Sequence, residues 1–197
     1  MASTEKAVNN APRKLEFEID QFLSSWNISA QAWRNKHNKE LTGLITACIV
    51  FNADGKILLV QRASHDSMPD KWEVPGGAVD DEDPSLLHGA ARELWEEAGL
   101  TVKRFVHIVS EGPGREPGQT WQWQNLAKKM TETWCRFVFV ADVEDPEHVR
   151  VDPAEHQDYV WATADEVKAQ KIGEREIPLT SEGLRSVILE AIRLRQE

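Results

Sequence analysis

Three carboxylates, Glu93, Glu96 and Glu97, stand in the run Arg92-Glu93-Leu94-Trp95-Glu96-Glu97-Ala98-Gly99. Their spacing of three and four residues is that of a helix. With Glu93 set at zero and about 100° per residue, Glu97 falls at about +40° and Glu96 at about −60°. One helix face therefore carries all three. Leu87, Ala90, Ala91, Leu94 and Ala98 form the neighbouring face, where small side chains let a sheet approach closely. The cluster opposes itself. Like charges at this spacing repel by a few tenths of a kcal/mol per exposed pair, and the helix dipole disfavours anions in the last turn. Arg92 relieves part of this by pairing with Glu96 four residues on. A hard divalent cation would relieve it better, since carboxylate and backbone oxygens are its preferred ligands. The preceding Gly76-Gly77 lets backbone come close enough to offer a carbonyl to the same ion. The bland alternative is a solvated, Glu-rich helix face.

The helix that must hold these groups is expected over residues 84–98, with Asp83 as N-cap, Pro84 in the first position and Gly99 as terminator. Residues 43–51 and 56–61 read as strands, and Asn52-Ala53-Asp54-Gly55 between them reads as the turn of a β-hairpin. A short strand at 72–74 leads into Pro75-Gly76-Gly77. Further strands are expected at 102–110, 133–143 and 158–163, a Gly/Pro-rich loop at 111–120 and an amphipathic helix at 181–195. Upstream, residues 1–13 read as a polar tail and 14–38 as one or two short helices, with Leu15, Ile19, Phe22, Leu23 and Trp26 at helical spacing and Asn27 or Ser29 capping the second. The chain thus divides into an N-terminal extension, 1–40, which buttresses a main domain, 41–197.

Composition narrows the partners. The formal net charge of −10 makes long DNA or RNA a poor ligand, whereas a small phosphorylated molecule escorted by a cation is acceptable. Cys48 and Cys135 lack metal-like spacing and read as core thiols. The N-terminus lacks the apolar stretch of a signal peptide, and no run approaches the ~18 apolar residues of a membrane span. A cytoplasmic protein with no membrane partner is expected, and a homodimer is compatible with the sequence. Eight Trp against one Tyr point to large apolar contacts or to an indole-lined pocket.

The run 77–100 resembles the Nudix box, G-x5-E-x7-R-E-U-x-E-E-x-G-U with U bulky and apolar. Residues 92–100 match every fixed position of its second half. In the first half, Asp83 stands where the early Glu is counted from Gly77, with Glu82 as competitor, and eight residues rather than seven precede Arg92. Gln61-Arg62-Ala63, Trp72-Glu73-Val74-Pro75-Gly76-Gly77 and Glu155-His156-Gln157-Asp158-Tyr159-Val160-Trp161 resemble further segments of the same family. The resemblance covers residues 41–170. It implies an α/β fold, an α/β/α sandwich around a mixed β-sheet, and hydrolysis of a diphosphate bond in a small nucleoside-diphosphate-linked or nucleotide substrate. It implies Mg²⁺, with Mn²⁺ as an alternative. Glu93, Glu96, Glu97 and the Gly76 carbonyl correspond to metal ligands, and Arg92 to the residue that orients the helix carboxylates. Glu155 corresponds to a distal acid; it or Glu96/Glu97 would take the proton of the attacking water.

Four residues complete the expected site. Arg62 is a candidate for the phosphates, with a surface strand arginine as the alternative. Trp121 and Trp123 could stack on a base or grip an isoprenoid chain, or be the core face of a strand. Tyr159 could bond a phosphate or end a strand. His156 reads as a structural residue rather than a ligand, and Trp134 and Trp161 as core. An isoprenoid diphosphate hydrolase and a non-catalytic Nudix-like binding module are the rival functions. Decapping of mRNA is disfavoured by the absence of a basic track.

Overall fold

The structure is a computed structural model and describes residues 15–125 and 129–196. The polar tail at 1–13 lies outside the described residues. In chain order the elements are β1 (Glu18–Ile19), a 3-10 helix (Gln21–Trp26), α1 (Ala30–His37), β2 (Gly43–Ile49), β3 (Ile57–Arg62), β4 (Trp72–Glu73), β5 (Gly76–Ala78) and α2 (Leu86–Ala98). There follow β6 (Val102–Val109), β7 (Gln119–Asn125), β8 (Met130–Val143), β9 (His156–Ala162), α3 (Ala164–Ala169), β10 (Lys171–Ile172), β11 (Arg175–Glu176) and α4 (Glu182–Arg195).

The long strand β8 organises the main sheet, whose order is β1-β6-β8-β2-β5 with β7 also on β8. β2 runs parallel to β8, while β6 and β7 pair with it antiparallel. The sheet is therefore mixed. Side chains alternate between its faces, and the sequence supplies an apolar set for each. Leu44, Cys48, Phe137 and Phe139 face α2, where Leu86, Leu87, Ala90, Ala91 and Leu94 are buried. Ala47, Ile49, Val138 and Val140 face α4, meeting Leu184, Val187, Ile188 and Ala191. Each fully buried Leu or Ile contributes about 1.5–3 kcal/mol by leaving water. Helix, sheet, helix is the expected sandwich.

Two expectations about local structure need correction. Residues 43–51 and 56–61 do not form a hairpin ladder. The turn is real: Asn52 Oδ1 accepts from the Asp54 and Lys56 amides at 3.1 and 2.9 Å, and Phe51 bridges Ile57. Beyond that bridge the strands part. β2 stays in the main sheet, and β3 becomes the centre of a second sheet, β4-β3-β9. Ile57, Leu58, Leu59 and Val60 are all fully buried, so β3 needs apolar cover on both faces, which an exposed hairpin arm would lack. The second correction concerns residues 15–26. Residues 18–19 pair with β6, Asp20 N donates to Phe105 O at 3.0 Å, and a 3-10 helix follows, capped by Asp20. The free edge of β6 takes the backbone that local spacing assigned to an α-helix. The second helix forms with Ser29 as its cap. Trp26 and Trp33 pack on Phe137 at ring distances of 4.8 and 4.9 Å, so much of the Trp content serves the core.

Candidate active site

The site is built where α2 passes behind the glycine strand β5. Gly76 and Gly77 lie at the edge of the main sheet, paired with Ala47 and Thr46 of β2. A Cβ on Gly77 would stand 2.6 Å from Glu93 Oε2. Gly76 N donates to Glu97 Oε2 at 2.7 Å. The missing side chain at Gly77 is what lets Glu93 reach the sheet edge, and the bare backbone of Gly76 lies close against Ala47 and Thr46 of β2. α2 ends as expected, with Gly99 in the left-handed region at φ 69°.

Its start differs from expectation. Ser85, not Asp83, is the N-cap: its Oγ accepts from His88 N, and the helix begins at Leu86 rather than Pro84. Asp83 has a longer-range task. It is buried, accepts from Arg92 Nε at 3.1 Å and Nη2 at 2.9 Å, and also accepts from Asp80 N. Asp83 is thus the acid of this loop that holds Arg92, and Glu82 is not joined to this network by any described hydrogen bond or ion pair. Arg92 gives Nη1 to Glu93 Oε1 at 2.8 Å and to Glu96 Oε2 at 2.9 Å, and Nη2 to the Ala78 carbonyl at 2.8 Å. One guanidinium therefore fixes the loop before the helix and two carboxylates on it.

The charge balance remains negative. Arg92 is shared among Asp80, Asp83, Glu93 and Glu96, and neither Glu97 nor Glu155 pairs with an Arg or Lys among the described residues. Burial, reinforced by Glu96 and Glu155 and opposed by Arg92, pushes Glu93 up to about 7. Burial, then Glu93, Glu73 and Glu155, raises Glu97 well above the ordinary carboxylate range against the Gly76 amide. Glu96 is different: its side chain is 44 % exposed. Ligand atoms of Glu97, Glu155 and His156 lie within 4.8 Å of one another. Buried anions in mutual repulsion, with oxygen donors converging, fit a hard divalent cation. His156 is buried, with Nε2 3.5 Å from Glu73 Oε1.

Because Glu93 and Glu97 bind their protons more tightly folded than unfolded, the metal-free fold is favoured at low pH. That advantage is complete below the unfolded value of 4.5; Glu93's share is lost as pH rises through about 7, and Glu97's as pH rises well above the ordinary carboxylate range. Melting curves of metal-free protein between about pH 5 and 8 should show this component as a falling midpoint, and saturating Mg²⁺ should reduce the fall. A midpoint of the metal-free protein that rises over this range would contradict the burial of these charges. A second expectation concerns Gly77. Arg92 holds the Glu93 carboxylate, so in Gly77→Ala that carboxylate must shift to admit the methyl. Displacement of order 1 Å costs about 10²-fold in rate. Steady-state kinetics beside a melting curve should show lost turnover with a small change in stability; unchanged turnover would show that Glu93's position is not critical.

A cleft of about 650 Å³ opens on the α4 face of the sheet, lined by Ile45, Ala47, Glu73, Gly76, Trp121 and Arg136 among others. Another hollow, of about 490 Å³, lined by Lys103, Arg104 and Asp142, holds none of the carboxylates discussed. Of the expected substrate residues, Arg62 and Trp121 line the main cleft. Arg62 is already engaged: Nη1 bonds Glu73 at 2.5 Å, Nη2 bonds Asp66 and Ser67 Oγ, and Nε bonds Ser67 O. Trp121 is 39 % exposed rather than in the core. The side chain of Trp123 lies outside the described residues. Tyr159 is on β9, opposite Val60, and is not in the cleft lining. Sequence reasoning passed over Glu73, Gln119 and Arg136. Glu73 lay in a quoted segment, and Arg136 could have been noticed as a lone cation in an apolar strand.

A profile of the NUDIX domain matches residues 41–182, and the chain belongs to the Nudix family. A MutT-like protein of Streptomyces ambofaciens is 39 % identical over 64 residues, which are 32 % of this chain and 38 % of that protein, so the chain spans well under two thirds of that relative. A CTP pyrophosphohydrolase of Escherichia coli (strain K12) is 29 % identical over 133 residues, 66 % of this chain and 83 % of that one. The fold is shared with the MutT protein from Methanosarcina mazei Go1 (TM-score 0.57, 22 % identity, 81 % of this chain and 98 % of that chain). No described helix is long and apolar enough to cross a membrane.

Proposed function

We propose that the chain is a Mg²⁺-dependent pyrophosphohydrolase, which splits the diphosphate bond of a small nucleotide or nucleoside-diphosphate-linked substrate into two phosphorylated products. The observation that carries this reading is the pair of buried, mutually repelling carboxylates, Glu93 and Glu97, reaching a glycine strand on the border of an open cleft. Family membership and the relative named a CTP pyrophosphohydrolase support it. Glu93, Glu96, Glu97 and the Gly76 carbonyl would hold the metal. Divalent cations, when bound, neutralise the diphosphate and acidify a water.

The rest is work for the chain's own groups. Arg92 keeps Glu93 and Glu96 oriented. Glu155 is exposed and belongs to the cluster with Glu97. Both features support Glu155 as the group that takes the proton of the attacking water and passes it to solvent. Trp121 offers a flat, exposed surface for a base. Arg62 makes four bonds to Glu73, Asp66 and Ser67 among the described residues, which leaves one Nη1 N–H as the donor it could offer a phosphate. Gln119, Arg136 and Glu111 set polar groups into a cleft that also holds apolar side chains, and a nucleoside can use those groups where a prenyl chain cannot. The retained carboxylates speak for turnover rather than binding alone. A cytoplasmic location, an N-terminal extension serving as buttress and Mn²⁺ as an alternative ion belong to the same reading.

The test is a panel of nucleoside triphosphates, ADP-ribose, dinucleoside polyphosphates and prenyl diphosphates, each with Mg²⁺ and with products identified by mass spectrometry. Cleavage of nucleotide-linked diphosphates is expected. Turnover confined to prenyl diphosphates, or tight binding of all with turnover of none, would overturn the reading.

A further inference from the structure

Arg136 lies on β8, in the cleft wall, and its surroundings are unusual for a cation. Burial pulls its guanidinium down from the ordinary value, with Glu73 and Glu111 opposing through space. Among the described residues it bonds no carboxylate. Its partner is a neutral amide: Nε donates to Gln119 Oε1 at 2.9 Å, and Nη2 donates to the same oxygen. Gln119 is itself fixed. Its Nε2 donates to Glu111 Oε1 at 2.6 Å, and Glu111 Oε2 accepts from Arg115 at 3.0 Å. Behind them is Gly183 of α4, where a Cβ would stand 2.7 Å from Glu111 Oε1 and collide with the Gln119 amide. Since a carboxylate only accepts, the amide nitrogen must face Glu111 and the amide oxygen must face Arg136.

A guanidinium has two edges that can each hold a pair of acceptors. Gln119 takes the edge made by Nε and Nη2. The edge made by Nη1 and Nη2 has no partner among the described residues, and it carries two parallel N–H donors. Trp121 follows Gln119 by two residues and so shares its strand face. Its ring centroid is 5.9 Å from Arg136 Cζ. Arg136 lies over the indole face, so a flat ring entering beside Trp121 would meet the guanidinium as well as the indole. Arg136 is cross-strand to Ile45, and Ile45 to Ala78, the residue after the glycine pair. Two strand spacings separate Arg136 from β5, about 10 Å, a distance suited to the sugar between diphosphate and base.

We infer that Arg136, held by Gln119, selects the base of the substrate by taking an edge with two adjacent acceptors. This deepens the nucleotide reading and rests on it. Guanine and hypoxanthine offer O6 with N7, and cytosine offers O2 with N3. Adenine, uracil and thymine place an N–H in one of the two positions, and so does 8-oxoguanine at N7. A second phosphate is the poorer occupant, because Glu111 and Glu73 already make the field at Arg136 negative.

The test measures the same bases twice, by kcat/KM on the triphosphates with Mg²⁺ and by calorimetric binding of the monophosphates. Guanine and hypoxanthine nucleotides, or cytosine nucleotides, should exceed adenine and uracil by about tenfold or more, mostly through KM, and the two arms show which source is used. Arg136→Gln should bring the preferred value down to that of adenine. Should this variant not fold, nucleotides of 7-deazaguanine and 3-deazacytosine remove the acceptor from the ligand instead and should lose the preference with unaltered protein. Equal values for all bases, or a ranking by phosphate number alone, would overturn the proposal. Base preference in binding without hydrolysis would leave the selection standing and remove the enzymatic reading; hydrolysis without base preference would do the reverse.

Discussion

Replacing Glu97 by Gln is expected to lower kcat by about 10³-fold or more, which is about 4 kcal/mol of lost transition-state stabilisation, while leaving the metal-free protein as stable as before or more so. The two halves of this expectation have one cause. Glu97 is 4 % exposed, and its ionised form is disfavoured by burial first and then by Glu93, Glu73 and Glu155. Gln has the same shape and still accepts from the Gly76 amide, but it carries no charge to be desolvated or repelled. A structural residue would lose stability on substitution; a group kept for a cation loses function. Steady-state kinetics and thermal melting of metal-free samples check both. Turnover within about tenfold of the parent would remove Glu97 from the chemistry.

The second large effect is expected at Arg92, and there it falls on stability. Arg92→Met would leave Asp83, Glu93 and Glu96 without their shared donor and free the Ala78 carbonyl. Asp83 and Glu93 are buried, so the cost should be that of uncompensated buried charge, about 3–5 kcal/mol. Glu96 is more exposed and should contribute little of it. Arg92→Lys should recover only part, because an ammonium cannot span Asp83 on one edge and the two glutamates on the other. Chemical denaturation measures this as a lowered midpoint with an unchanged slope. A loss below about 1 kcal/mol would mean that water already screens these pairs.

What the sequence disclosed and what it hid follow the range of the forces involved. The shared face of Glu93, Glu96 and Glu97 is a property of one helix, and so is its left-handed terminator Gly99; both are local and were legible. The sandwich was legible through the resemblance to the Nudix family, and the two apolar sets on β2 and β8 are what fill it. The partner of β3 was not legible, because a turn sequence fixes only a reversal and not the sheet in which each strand ends. Asp83 looked like a cap from its neighbours alone. Its bond to Arg92 spans nine residues and depends on how the intervening loop folds. Arg136 and Gln119 come together only through the antiparallel pairing of β7 with β8, and Tyr159 is kept from the cleft by the same kind of long-range register.

The most direct measurement follows one nucleotide substrate by mass spectrometry while Mg²⁺ is titrated into metal-free protein, beside a parallel titration of Glu97→Gln. The parent should release two phosphorylated products at a rate that rises with Mg²⁺ and saturates, and the variant should stay near background at every concentration. Equal cleavage with chelator present, or orthophosphate as the sole phosphorylated fragment beside a dephosphorylated nucleoside, would mean that the carboxylates gathered at the glycine strand do not serve a cation-dependent attack on a diphosphate.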